Sequence, residues 1–243
     1  SRGLGDVYKR QAKTIWGKNL FDYVSEANLK DSELVWHKEK SKSYDDNILR
    51  RVKDPHQKNG GLKMLKGNLG KGVIKISAVK PEHYRIVAPA MVFKNQEDVK
   101  EAYHKGLLNR DVVVVVRFQG PKANGMPELH ALTPILSNIQ DMGFKVALVT
   151  DGRMSGASGK VLSAIHVTPE AIEGGTISKI QDGDKIEIDA NIGKLNLNED
   201  FSDRKNCKLR KASNVGFGRN LFSLLRKNAI SAESGAGLNL IND

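Results

Sequence analysis

The sequence predicts an α/β fold in which short strands close into a β-barrel-like core with flanking helices, preceded by the tail of a larger α/β domain. Three observations predict it. Two apolar runs, Val112-Val113-Val114-Val115-Val116 and Val146-Ala147-Leu148-Val149, have the uninterrupted character of strands covered on both faces. Between them, residues 129–142 place Leu132, Ile135, Leu136 and Ile139 on one face of a helix, with Gly143 as its stop. Farther on, the short apolar segments between residues 161 and 197 are spaced as in a small barrel rather than a broad open sheet.

Taken in order, residues 1–11 carry charge but no apolar stretch of the kind a signal peptide needs, and they fit poorly with the segment from Ala12 onward. They are expected to be a non-native or disordered scar, and the missing initiator Met agrees with a chain cut from something longer. Residues 12–59 are ragged. Leu20, Tyr23 and Val24 predict one short helix and residues 47–52 another, before Asp54-Pro55 breaks the chain and Asn59-Gly60-Gly61 supplies a joint. So polar a segment has little from which to build a core, and it is assigned to the end of a preceding domain. Residues 60–243 form the second domain.

In that domain, Gly67, Gly70 and Gly72 lie near lysines, but their spacing is neither the P-loop nor the dinucleotide fingerprint, and a plain turn between strands is expected. Residues 83–93 predict a strand interrupted by Pro89. Asn95 then caps a helix with Glu97 and Asp98 in its first turn, Val99, Ala102 and Tyr103 facing inward, and Gly106 at its end. Residues 161–167 predict a strand. Residues 177–180 and 185–189 predict a hairpin about Asp182-Gly183, and Asn191-Ile192-Gly193 turns into residues 194–197. Turn chemistry accounts for Asp182 and Asp184 better than a ligand role does. A helix around Leu221, Leu224 and Leu225 closes the chain, ending near Gly235.

Composition narrows the function. Of the 243 residues 39% are hydrophobic, enough for a real core, and no apolar run approaches the roughly 20 residues of a membrane helix. The single cysteine, Cys207, excludes an internal disulfide framework and any metal cluster held by several thiolates of this chain. It fits a reducing, cytoplasmic compartment. Lys and Arg outnumber Asp and Glu by 39 to 28, a net charge of +11 that raises the local concentration of anions. Aromatics are sparse at 6%, and no zinc-finger spacing or RNA-binding signature is present. A small anionic substrate is therefore expected in place of nucleic acid.

Strand, helix, strand implies parallel pairing, which puts the carboxyl ends of both valine-rich strands together. The loop carrying Glu128 and the loop carrying Ser155 should then open at one edge of the sheet, where sheet proteins place ligands. A serine hydrolase is one rival, since Ser155 follows a strand and His130 and His166 are available. The nucleophile elbow needs glycine two residues before and after the serine, where Arg153 and Ala157 stand. His166, inside a strand pattern, reads as a packed histidine. A basic nucleic-acid-binding module, with affinity falling steeply in salt, is a second rival, and a non-catalytic interaction domain a third.

Two long motifs carry more. Gly120-Pro121-Lys122-Ala123-Asn124-Gly125-Met126-Pro127-Glu128-Leu129 and Val149-Thr150-Asp151-Gly152-Arg153-Met154-Ser155-Gly156-Ala157-Ser158-Gly159-Lys160 resemble the carboxyl-terminal signature of the dihydroxy-acid and sugar-acid dehydratases. With Ser163-Ala164-Ile165-His166-Val167-Thr168-Pro169-Glu170-Ala171, Leu107-Leu108-Asn109-Arg110-Asp111 and Asn214-Val215-Gly216-Phe217-Gly218-Arg219-Asn220, the wording is most similar to the 6-phosphogluconate dehydratase branch. The resemblance implies a swivelling-type β-barrel-like carboxyl-terminal domain of a hydro-lyase that turns 6-phosphogluconate into 2-keto-3-deoxy-6-phosphogluconate in the Entner-Doudoroff pathway. Another dihydroxy acid or sugar acid is the alternative substrate.

The resemblance also implies roles. Ser155 matches the serine that acts as an alkoxide on the C2 proton, and Glu128 matches a Mg2+ ligand. Arg153, Ser158 and Lys160 are the candidate contacts to substrate anions, a structural salt bridge being the alternative for Arg153 and Lys160, and Ala157 stands where some relatives carry threonine. An iron-sulfur cluster, of the 4Fe-4S type, is implied with its cysteine ligands in an amino-terminal domain that this chain lacks; Cys207 lies outside the motifs. A homodimer is implied, as is inactivity of the chain by itself.

Overall fold

The computed structural model describes residues 15, 25–37, 43–154, 160–208 and 222–239. The chain divides into two compact units, Ser1–Gly60 and Gly61–Asp243.

In the first unit, β1 (Glu26–Lys30) and β2 (Glu33–His37) pair antiparallel, with Leu29 opposite Leu34 and Ala27 opposite Trp36. The turn between them holds Asp31 at φ 52° and Ser32 at φ 66°. Two successive left-handed residues make the tight hairpin turn that matches strand twist. Asp-Ser lacks the glycine that usually announces such a turn, so nothing in the sequence pattern marks this hairpin. The helix expected over residues 47–52 is instead a series of turns. Asn47 N donates to Asp45 Oδ1 at 2.8 Å, and the amides of Ile48 and Leu49 both donate to Asp45 O. An aspartate side chain that captures the amide two residues on, as Asp45 does that of Asn47, competes with a helix. Ile48, Leu49 and Val52 are exposed. Among the described residues of this unit none is buried. The helix expected around Leu20, Tyr23 and Val24 lies outside the described residues, as do residues 1–11.

The second unit is a closed barrel. Its strands are β3 (Leu62–Gly67), β4 (Gly70–Lys75), β5 (Arg85–Phe93), β6 (Val112–Val116), β7 (Val146–Thr150), β8 (Leu162–Thr168), β9 (Lys185–Asp189) and β10 (Lys194–Leu197). They close in the order β10-β3-β4-β8-β7-β6-β5-β9. β5, β6, β7 and β8 run parallel, in register Val113 to Ala147 and Val114 to Leu148 at the centre. The antiparallel pairs are β3 with β4, β4 with β8, β5 with β9 and β9 with β10. A single parallel contact, Lys194 opposite Lys66, closes β10 onto β3.

Alternation explains the valine run. Val113 and Val115 join Ala147, Val149, Ile86 and Leu65 in the barrel interior. Val112, Val114 and Val116 face outward into a second core with Val99, Leu132, Ile135, Leu136 and Ile139. Those partners sit on two helices, α1 (Gln96–His104) and α3 (Leu132–Asp141), with the short α2 (Pro121–Asn124) between β6 and α3. Asn95 caps α1 as expected, its side chain accepting from Asp98 N at 2.8 Å.

Several boundaries differ from the expectations. Residues 177–180 are no strand; Thr176–Lys179 is a 3-10 turn that buries Ile177 and Ser178. Apolar residues three apart suit a helical turn as well as a short strand, and the pattern alone does not separate them. The true partner of β9 is β10, across Asn191-Ile192-Gly193. Pro89 does not interrupt β5, because it stands opposite Lys185 while Ala90 N donates to Asp184 O at 2.7 Å. The closing helix is short, α4 (Ser223–Asn228), followed by a 3-10 turn Ala232–Ser234. Leu221 lies outside the described residues. Among the described residues no helix is long and apolar enough to cross a membrane.

Candidate active site

Parallel pairing brings the loops after β6 and β7 side by side. Beyond the strands, Glu128 and Arg153 form one more parallel bridge, and Leu129 N donates to Arg153 O at 3.0 Å. Arg153 crosses between the loops. Its Nε donates to Met126 O at 2.9 Å, and its Nη1 lies 3.4 Å from Glu128 Oε2. Both side chains are partly exposed, so the ion pair sits where a solute can reach it.

Under this pair is a buried anchor. Asp151, 0% exposed, accepts from Gln119 N at 2.8 Å through Oδ1, and from Phe118 N at 3.1 Å and Ala171 N at 3.0 Å through Oδ2. Burial pushes its carboxyl up from the ordinary range while these amides pull it back. Phe118 adopts φ 65°, a left-handed backbone uncommon for so large a residue, and is itself buried. Gly152 completes the approach of the two loops, since a Cβ there would lie 2.7 Å from Gln119 Cβ.

A second buried acid, Glu170, faces α2. Its carboxylate accepts from Lys122 N at 3.2 Å and Ala123 N at 3.3 Å. A Cβ on Gly120 would fall 2.3 Å from Glu170 Oε2, so only glycine lets the acid reach the backbone. Burial, with added repulsion from Asp151 and Glu173, pushes Glu170 up to about 7 against the pull of those two amides. Lys122 is ion-paired with Glu173. His166 departs from its expected packing role in backbone only. It holds φ 55°, its amide donates to Gly152 O at 2.9 Å, and its imidazole is half-buried. Burial, then the Arg153 charge, lowers its pKa, so the ring is neutral at pH 7.

Of the candidate site residues, the structure therefore brings Glu128 and Arg153 together. Lys160 pairs with Asp141 at the end of α3, at 2.6 Å. Ser155 and Ser158 lie outside the described residues. Asp182 and Asp184 serve turns: Asp182 Oδ1 accepts from Val92 N at 2.7 Å, and Asp184 accepts from Gln181 N and pairs with Arg204. Asp151 and Glu170 are site residues that the sequence reading does not single out, although an acid directly after a buried strand, and one after a proline, are the available signals.

Comparison with known proteins assigns the chain. Residues 47–236 match the Dihydroxy-acid/6-phosphogluconate dehydratase C-terminal family. The chain belongs to this family. It is 48% identical to the Phosphogluconate dehydratase of Pseudomonas aeruginosa over 235 residues, 96% of the chain and 39% of that relative. It is 51% identical to the Phosphogluconate dehydratase of Escherichia coli K12 over 92% of the chain and 38% of the relative. The Dihydroxy-acid dehydratase of Caldanaerobacter subterraneus is 38% identical over 76% of the chain and 31% of that protein. The chain thus spans about two fifths of the length of the first two relatives.

The donor set for cofactors is limited. Among the described residues no group of three His, Cys, Asp or Glu side chains converges as a metal site. Cys207 is half-buried against the barrel core, its amide donating to Ser178 O at 3.1 Å. One thiol does not fit the holding of an iron-sulfur cluster. Glu128 fits a single oxygen position in the shell of a hard cation such as Mg2+.

Proposed function

We propose that this chain is the carboxyl-terminal part of a hydro-lyase that dehydrates 6-phosphogluconate to 2-keto-3-deoxy-6-phosphogluconate, a step of the Entner-Doudoroff pathway. The observation that carries the reading is the pairing of Glu128 with Arg153 on adjoining loops at the carboxyl ends of β6 and β7. The names of the two phosphogluconate dehydratases favour this substrate over other dihydroxy acids.

The reaction removes a proton from C2 and hydroxide from C3. In this reading Ser155, two residues beyond Arg153, takes the C2 proton at its Oγ as the alkoxide, and the iron-sulfur cluster of the longer protein would supply the Lewis acid that receives the C3 hydroxide. Glu128 would hold Mg2+, which when bound stabilises negative charge on the substrate's carboxylate end. Arg153 orients Glu128 and, with Ser158 and Lys160, faces the substrate anions. The other Mg2+ ligands, the cluster cysteines and a homodimeric partner belong to the longer protein, and the cytoplasm is its compartment.

The test is the appearance of 2-keto acid from 6-phosphogluconate, using the full-length protein. Ser155→Ala and Glu128→Gln should each lower kcat by about 10²–10⁴-fold, the scale of a lost proton-transfer or charge-stabilising group. Wild-type rates in either variant would remove the site from these loops. The chain by itself, reconstituted with iron and sulfide, should show no turnover.

A further inference from the structure

Three buried peptide segments meet at one carboxylate, and the proposed chemistry does not use it. Asp151 ends the line of β7 and receives amides from the turn after β6, Phe118 and Gln119, and from Ala171 of the segment after β8. Two residues on from Asp151, Arg153 bridges to Glu128. Ten residues on from Phe118, the same loop delivers Glu128 itself. We infer that Asp151 is a positioning residue: through the three backbone amides it accepts, it fixes the loop bearing Glu128 against the loop bearing Arg153. The inference rests on the dehydratase reading of those loops.

The geometry argues for aim as well as stability. A barrel wall needs nothing at this edge; a strand end left in water costs little, whereas a carboxylate out of contact with water must be repaid by its hydrogen bonds. All three donors are amides that no β-ladder bond occupies, and one of them, Phe118, is held in a left-handed backbone that turns the loop away from the line of β6. Strained backbone held by a surrounding network is characteristic of sites that must keep a fixed geometry. The Gln119 side chain, lying over Gly152, is secured in turn by Lys94 O and by Asn124 Nδ2. Reacting groups misplaced by about 1 Å lose up to about 10²-fold in rate.

The test uses the full-length protein with Asp151→Asn, which keeps size and removes the charge and one acceptor oxygen. Leu195→Ala, on the opposite wall of the barrel, is the control for lost stability. Per folded molecule, Asp151→Asn should lower kcat by about 30-fold or more, a larger factor than the rise in KM from the displaced Arg153, and amide exchange should speed up together over residues 117–130 and 152–154. Leu195→Ala should lower the melting temperature without changing kcat. An Asp151→Asn enzyme with wild-type kcat, or with faster exchange spread evenly over the barrel, overturns the inference. Should that variant not fold, wild-type exchange decides: the amides of Phe118, Gln119 and Ala171 must open in one step, and three unrelated rates overturn it. Failure of the dehydratase reading shows separately, as wild-type rates in Glu128→Gln, and the exchange results hold whatever the reaction proves to be.

Discussion

The two halves of the barrel are made differently. In the parallel half every residue of β6 and β7 is buried, because the barrel interior lies on one side and α1 and α3 on the other. In the antiparallel half the outer face of β3 meets solvent, with Leu62 64% exposed and Met64 55%, while on β9 the buried Glu187 accepts from Lys194 and Arg85, whose side chains cover it. Those two cations hold the Glu187 carboxyl below the usual carboxylate range. The antiparallel pairs β3–β4 and β9–β10 are joined by tight turns, whereas the parallel strands need long crossovers, and it is the crossovers that leave room for Glu128 and Arg153. The paired strands are packed on both faces, which holds the loops they emit; the other half closes the cylinder.

If closure is the task of the antiparallel half, damage there should cost folding and spare chemistry. Gly67 is the sharpest place to inflict it. A Cβ at this position would lie 1.9 Å from Leu195 O, a backbone atom with no room to turn away, beside the one ladder pair of β10 with β3. Gly67→Ala should cost about 3 kcal/mol or more, at the upper end for overpacked sites. Urea unfolding followed by exchange of the barrel amides measures it. In the full-length protein, the folded fraction should turn over at the wild-type rate, and a selective loss of kcat would break the division of labour.

In the parallel half the largest effect is a dependence on pH. Glu170 has its pKa raised from 4.5 to about 7, so the folded state holds a proton that the unfolded state has already released. Stability from this group is complete below about pH 4.5 and is lost as pH rises through about 7, by on the order of 2–3 kcal/mol. Asp151, also raised, tilts the curve the same way. The measurement is therefore a difference: Glu170→Gln should show a flatter stability profile between about pH 4.5 and 7 than wild type. Equal slopes would mean that Glu170 is ionised in the fold and that α2 is held by a charged acceptor.

How much of this is legible in the residues follows the same line. The valine run, the helix with Leu132 and Ile139, and the common edge for the loops after β6 and β7 are readable because burial on two faces leaves unbroken apolar stretches with strong periodicity, although Ser155, the residue expected at that edge beside Glu128, lies outside the described residues. The β1–β2 hairpin is not, since its turn uses Asp31 and Ser32 in place of the expected glycine. The 3-10 turn at Ile177 passes for a strand because two apolar residues cannot report a period. In the sequence, Asp151 and Glu170 are only letters of a motif: what makes them anchors is the convergence of amides from residues 118–123 and 171, which sequence distance hides.

Gly152 offers an intermediate disturbance, aimed at the contact between loops. The Cβ of an alanine would meet Gln119 Cβ at 2.7 Å, and Gln119 is tied at both ends of its amide. A side chain so held gives way only by breaking one of those bonds or by moving its loop. Gly152→Ala should therefore cost about 1–3 kcal/mol, less than Gly67→Ala, yet reduce kcat where Gly67→Ala does not. Steady-state kinetics of the folded fraction of both variants, measured together, sharpens the comparison between the halves.

The smallest effect is expected at Lys160, which also separates two roles for one residue. Its ammonium is paired with Asp141, and both side chains are about half exposed, at 46% and 59%. A pair this open to water is worth less than about 1 kcal/mol and weakens further with salt. Lys160→Ala should move stability by no more than that, in a manner that disappears at high ionic strength. If Lys160 stays with Asp141 during turnover, KM for 6-phosphogluconate should change less than about twofold. A contact to a substrate anion, made by leaving Asp141, would instead raise KM about tenfold or more, since a charge-assisted hydrogen bond contributes about 1.5–3 kcal/mol where a surface ion pair does not. Asp141→Ala then distinguishes the two: it releases the lysine, so a substrate-binding Lys160 would show a lower KM in that variant, and a purely structural one would show none.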